Sequence, residues 1–240
     1  VNYAVLGKGE KCTGDPARRA GNEYLYYQLA TENVETLNAA LIGEKLDASK
    51  PKVVLTTCPH CFNALVNDYP QLGGEYSVMH HTQLIEQLMD EKRLPPFDFD
   101  KTITYHDPCY LGRHNGEYDA PRNALTSGNA TVVEMPRNRN NSFCCGAGGA
   151  QFWKEEEEGD QRVSENRYLE AVETGAEVIA TGCPFCKVML GSTDSAEKEG
   201  GPEVLDVAQL VASRLEGIQA MLDHHRPEPP TPPTQGAALD

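Results

Sequence analysis

AEVIATGCPFCKVMLGSTDS, residues 176–195, has a twin at residues 51–70, PKVVLTTCPHCFNALVNDYP. In each, a short β-branched run leads into C-P-x-C and then an apolar stretch. A second strand-like run and an amphipathic pattern follow: EYSVMHHTQLIEQLMDEKRL at 75–94 and PEVLDVAQLVASRLEG at 202–217. Gln83 lies 22 positions after Cys61, and Gln209 lies 23 after Cys186. Agreement at this spacing marks an internal duplication. Val53–Thr56 and Val178–Thr181 are apolar without alternation, which predicts buried parallel strands. Pro59 and Pro184 suit a first helical turn, where a missing N–H is no loss. Helices are predicted at Cys61–Asp68 and Cys186–Leu190, with others starting near Gln83 and Gln209. Each C-P-x-C is thus expected where a strand ends and a helix begins, beside free N–H groups that favour negative charge.

The rest of the chain extends this pattern. Thr102–His106 reads as a strand leading into His106-Asp107-Pro108-Cys109. Further helices are predicted at Asn22–Leu41, Pro121–Ser127 and Gln161–Thr174. Alternating strands and helices predict an α/β fold: two pseudo-repeated lobes, each a short parallel sheet flanked by helices. Pro95-Pro96 separates a first lobe, 1–97, from a second, 98–225. The tail at 226–240, RPEPPTPPTQGAALD, lacks a core-forming pattern and is expected to be disordered.

Eight cysteines are present: Cys12, Cys58, Cys61, Cys109, Cys144, Cys145, Cys183 and Cys186. Their tight grouping, with no signal peptide, points to bound metal in a reducing compartment rather than to disulfides. The second copy carries C-x34-C-C-G-x36-C-x2-C, from Cys109 through Cys144-Cys145-Gly146 to Cys183 and Cys186. A structural zinc needs four ligands. Five thiolates from three distant segments favour an iron–sulfur cluster, whose irons prefer soft donors. Gly146, Gly148 and Gly149 allow close backbone approach and inward N–H groups.

This pattern resembles the CCG cysteine-rich family, which includes the B subunit of heterodisulfide reductase and related iron–sulfur oxidoreductases. The resemblance covers roughly Val1 to Leu215. It implies a noncubane [4Fe–4S] cluster on Cys109, Cys144, Cys145, Cys183 and Cys186. In the first copy, Lys11-Cys12 stands where a cysteine pair is expected. A second [4Fe–4S] cluster on Cys12, Cys58 and Cys61 would take a ligand from upstream of Val1, or from His60, His80 or His81. KCTGDPARRAGNEYLYYQLA, residues 11–30, is similar to the C-terminal part of bacterial membrane-associated iron–sulfur reductases. That likeness implies electron transfer between an electron-transfer flavoprotein of β-oxidation and menaquinone. It also implies a cytoplasmic-side location, with a quinone-linked membrane module in a preceding part. Heterodisulfide-type thiol–disulfide reduction is the second expectation, and a zinc-stabilised interaction module the third.

The formal charge is −15, which disfavours a nucleic-acid partner and suits a basic protein patch. No apolar run reaches the roughly 18 residues needed to span a bilayer. Cys58-Pro59-His60-Cys61 also matches a thioredoxin-type motif, but that reading leaves the other cysteines and the duplication unexplained. Arg18 and Arg19 either bind an anionic flavin or quinone head or face core carboxylates. His106 and Asp107 either relay protons or orient the loop before Cys109. Trp153 and Phe152 sit in the core or rim, or mediate docking. Glu155–Glu158 reads as a solvated charge run.

Overall fold

The computed structural model describes residues 1, 3–42, 52–94, 98–155, 159–198 and 200–215. The Pro95-Pro96 boundary, residues 156–158 and the 226–240 tail lie outside them. The first half contains α1 (Asp15–Arg19), α2 (Glu23–Ile42), β1 (Val53–Thr56), α3 (Pro59–Asn63), β2 (Ser77–His80) and α4 (His81–Asp90). The second contains β3 (Thr102–His106), α5 (Ala120–Thr126), β4 (Thr131–Val132), α6 (Val163–Val172), β5 (Val178–Thr181), α7 (Pro184–Gly191), β6 (Glu203–Asp206) and α8 (Val207–Ala212). All strand pairs are parallel: β1 with β2, and β4-β3-β5-β6 in a four-stranded sheet. The α/β class is as expected. Among the described residues, no helix is long and apolar enough to cross a membrane.

β5 is buried along its whole length because it lies between two strands and under cover on both faces. Val178 and Ala180 pack with Phe99, Ile103, Tyr105 and Leu210, while Ile179 packs with Met135, Tyr168 and Leu190. Its twin β1 corrects the expectation of burial: Val53 is 41% and Leu55 48% exposed. Among the described residues, β1 pairs only with β2, and its Val54 packs against the first-half core. That core is laid down by α2, whose Tyr26, Ala30 and Val34 recur every fourth residue and meet Ala64, Leu65 and Tyr69.

The duplication is visible atom by atom. Cys58 and Cys183 each cap a helix whose first residue is Pro59 or Pro184. The helix after Cys58 continues through a π-type turn, Ala64–Asp68, so the helical stretch reaches the predicted end. Gln83 and Gln209 are third residues of α4 and α8, and their Oε1 atoms accept the cap N–H groups of His80 and Asp206 at 3.0 and 3.1 Å.

The two halves are sewn together by polar contacts. His81 Nε2 meets Asp206 Oδ1 at 2.9 Å, and Gln83 donates to Glu117 at 2.6 Å. Asn115 donates to Asn63 at 3.2 Å and accepts from Asn67 at 2.9 Å. His80 is fully buried at this seam, with Nδ1 at 2.8 Å from the Thr82 hydroxyl. Its ring lies against Gly182, where an added Cβ would stand 3.1 Å from Cε1.

Burial first, and the neighbouring His81 second, push the His80 pKa from 6.5 down to about 3. The unfolded chain therefore takes up this proton first. The stability is present above the unfolded pKa and is lost as pH falls from 6.5 towards about 3. His80→Gln is expected to flatten the pH dependence of the denaturant midpoint across that window. An unchanged slope would contradict it.

Candidate metal centre

β3 delivers His106 and Asp107 to the edge of the site, and Cys109 follows two residues later. The loop is held by Asp107. Its carboxylate accepts Arg122 Nη1 and Nη2 at 2.7 and 2.9 Å, and the Arg139 N–H at 2.7 Å. Its carbonyl accepts the Ser142 hydroxyl at 3.1 Å. Arg113 donates to the Ser142 carbonyl at 2.7 Å. These bonds tie the segment entering Cys144 to the loop carrying Cys109. Arg122 is shared with Glu134 at 2.5 and 2.9 Å, and the two carboxylates hold it charged against its burial. Asp107 thus orients the loop.

Seven cysteine sulfurs follow one another as electrostatic neighbours, each shifting the ionisation of the next: Cys61, Cys58, Cys183, Cys186, Cys145, Cys144 and Cys109. All eight cysteines are free of disulfides. Cys145, Cys183 and Cys186 are buried, and Cys109 and Cys144 are partly exposed. Cys144 is driven down by the Cys109 and Cys145 thiols that donate to it, and by the Gly146 N–H at 3.2 Å. Against a large burial penalty, Cys183 is also driven down, by the thiols of Cys186 and Cys58 and by the N–H groups of Cys186 and Phe185. The thiol of Cys109 is pushed up by Cys144, that of Cys145 by Cys144, and that of Cys186 by Cys145. Sulfurs this close must share protons, because adjacent thiolates repel. A multivalent cation removes that conflict. An iron–sulfur cluster therefore fits this donor set, which is soft, convergent and supplied with N–H donors.

The first copy reproduces the arrangement with one exchange. The Gly14 N–H points at Cys12 Sγ at 3.4 Å, as Gly146 does at Cys144. Both glycines adopt a left-handed backbone, φ 83° and 92°. The Thr13 hydroxyl meets Cys61 Sγ at 3.5 Å, where Cys145 meets Cys186 in the second copy. Cys12 therefore matches Cys144, and Thr13 matches Cys145. This register lies one residue later than a match of Lys11-Cys12 to the cysteine pair. The glycine carries the signal in the sequence, since Gly14 follows Cys12 at the offset at which Gly146 follows Cys144.

The two copies touch at their C-P-x-C turns. Cys58 contacts Cys183, and His60 meets Phe185 edge-on at 5.2 Å. His60 also stacks on Tyr110 at 4.2 Å and places Nδ1 2.8 Å from Asp15. Arg18 and Arg19 face carboxylates: Arg18 lies 3.1 Å from Asp68, and Arg19 binds Asp15 at 3.0 Å and Asp68 at 2.8 Å. Phe152 packs edge-on against Phe185 and Trp153, each at 5.1 Å, and Trp153 stands 65% exposed on the rim. Glu155 is exposed. His106 is buried, with a ring nitrogen within 4.8 Å of Cys145 and Cys186 Sγ. Burial, then the Arg167 cation, holds its pKa well below the usual value. Arg167 went unnoticed in the sequence. Its signal was position: Ser164, Arg167, Tyr168 and Ala171 recur as one buried helix face.

The family model described as a cysteine-rich domain, CCG, matches residues 1–66 and 103–191. The chain is 40% identical over 224 residues to "EtfAB:quinone oxidoreductase" of Syntrophomonas wolfei, covering 90% of this chain and 30% of that protein. It is 40% identical over 220 residues to "Probable iron-sulfur-binding oxidoreductase FadF" of Bacillus subtilis, with the same coverages. It is 36% identical over 225 residues to one subunit of the dihydromethanophenazine:CoB--CoM heterodisulfide reductase of Methanosarcina barkeri, covering 90% of this chain and 52% of the relative. The chain thus spans about a third of the first two relatives and about half of the third.

Removing Arg122 would leave the buried Asp107 carboxylate without its cation. Arg122→Met is expected to lower stability by about 3 kcal/mol, read as a shift in denaturant midpoint. A change below about 0.5 kcal/mol, the range of a surface substitution, would contradict the assigned role.

Proposed function

The chain belongs to the cysteine-rich CCG family, and we propose that it is the iron–sulfur electron-transfer part of an oxidoreductase. One observation carries the proposal: five cysteines from three distant segments, Cys109, Cys144-Cys145 and Cys183/Cys186, come close enough that each perturbs its neighbour's ionisation, with the Cys145 and Cys186 sulfurs within 4.8 Å of each other. These five would hold a [4Fe–4S] cluster of noncubane type. Cys12, Cys58 and Cys61 would contribute to a second cluster with a ligand from upstream of Val1. The threonine at position 13 supports a four-thiolate first site, because it takes the place of the fifth cysteine. Domain assignments of 1–97 and 98–225 go with this reading, one site per lobe.

When bound, such a cluster supplies one-electron chemistry. The chain's own share is to fix the thiolates, aim the Gly146 and Phe185 N–H groups at sulfur, and keep water from Cys183 and Cys186. We infer that the donor is an electron-transfer flavoprotein and the acceptor a quinone-linked membrane module, as the name of the Syntrophomonas relative suggests. Thiol–disulfide reduction at the cluster is the second reading, favoured by the Methanosarcina relative. The two are separated by whether reduced flavoprotein or a disulfide changes the EPR signal.

Anaerobically purified protein is expected to be brown, with about four irons and matching sulfide at the second site. Colourless protein with stoichiometric zinc would sink the proposal. Cys145→Thr, which copies Thr13, is expected to retain iron but to give the EPR spectrum of an ordinary four-cysteine cluster. A spectrum unchanged from wild type would show that the fifth thiolate is not a ligand.

A further inference from the structure

Arg167 and His106 form a buried pair beside the sulfurs that the ligand set does not require. Arg167 is fully enclosed, and an enclosed guanidinium is unfavourable unless its donors are used. Its Nη1 donates to the Arg137 carbonyl and to Glu170, both at 2.8 Å. Its Nε donates to His106 Nδ1 at 3.0 Å. Its Nη2 has no partner among the described residues. Arginine has no lone pair to offer, so Nδ1 must be the acceptor in this bond. A neutral imidazole with a bare Nδ1 carries its proton on Nε2. Meanwhile the ring stands at the end of β3, 1% exposed, with a nitrogen within 4.8 Å of Cys145 and Cys186 Sγ.

We propose that His106, fixed in its Nε2–H tautomer by Arg167, donates a hydrogen bond to sulfur of the metal centre and is not one of its ligands. The inference rests on the reading that the five cysteines hold an iron–sulfur cluster. A protonated Nε2 offers iron no lone pair, and Nδ1 has spent its own on the arginine. The same bond closes the ring to proton relay, since a relay needs Nδ1 to exchange a proton and a cation stands there. What remains is donation. A hydrogen bond to sulfur withdraws charge from the cluster and favours its reduced, more negative state, so it raises the reduction potential. Arg167 is the positioning residue. Glu170 and the Arg137 carbonyl hold the arginine in turn, so the tautomer is set by a chain of buried groups reaching from α6.

The test uses the whole protein, purified anaerobically, with iron and sulfide content, an EPR-monitored reduction potential and nitrogen hyperfine coupling as readouts. Wild type labelled with 15N-histidine is expected to show only weak coupling, as for a hydrogen-bonded ring. The strong coupling of an iron-bound nitrogen, present in wild type and lost in His106→Phe, would overturn the inference. His106→Phe is expected to keep wild-type iron and sulfide and to shift the potential more negative. His106→Gln, which still offers an N–H, should recover part of that shift. Arg167→Met, which frees the tautomer, should move the potential in the same direction as His106→Phe, by less. Full iron content with an unmoved potential in His106→Phe would also overturn it. A brown wild type that fails these readouts refutes the hydrogen bond alone. A colourless, zinc-loaded wild type refutes the cluster reading beneath it.

Discussion

Negative charge on buried sulfur is the constraint around which this protein is arranged. Seven cysteine sulfurs perturb one another's ionisation across the boundary between two halves of the chain, in surroundings where adjacent thiolates cannot all ionise. The local answer is an array of donors. The glycine N–H two residues after Cys144, the first-turn N–H groups after Cys183 and the neighbouring thiols each stabilise one anionic sulfur. The larger answer is a multivalent metal centre, which this donor set suits. The lobe architecture follows from the same need, because three segments far apart in sequence must arrive at one place.

The arrival is organised by buried charge of the opposite kind. Asp107 gathers Arg122, the Arg139 amide and Ser142, and so joins the loops of Cys109 and Cys144. Arg167 gathers His106, Glu170 and the Arg137 carbonyl on the far side. In the first half, Arg18 and Arg19 are absorbed by Asp15 and Asp68. Breaking one partner of such a pair leaves an uncompensated charge, which is why these residues, none of them a sulfur ligand, govern the placement of the ligands.

The duplication is approximate, and its departures are informative. β5 is sandwiched between neighbours and buried throughout, whereas its twin β1 has one partner among the described strands and one exposed face. Asp206 caps α8 through its own side chain and also takes His81, while His80, at the equivalent end of β2, turns inward against Gly182. Thr13 replaces Cys145. The two copies thus share their strand, cap and first-turn pattern while their buried polar groups differ.

The sequence by itself determined the strand–C-P-x-C–helix units, the parallel α/β class and the grouping of the five cysteines. These are carried by local spacing: a proline at the first helical turn, an apolar run before it, glutamine three residues after each cap. Their physics acts within a few residues, so a one-dimensional pattern contains it. Only the tertiary structure decided that Cys58 lies beside Cys183, that Thr13 meets Cys61, that β1 keeps an exposed face, and that Arg167 reaches His106. The contacts Thr13–Cys61, His106–Arg167 and Cys58–Cys183 join residues 48, 61 and 125 positions apart. No local propensity encodes such contacts. They follow from how two lobes bury charge and sulfur against each other, and that is settled only when the halves meet.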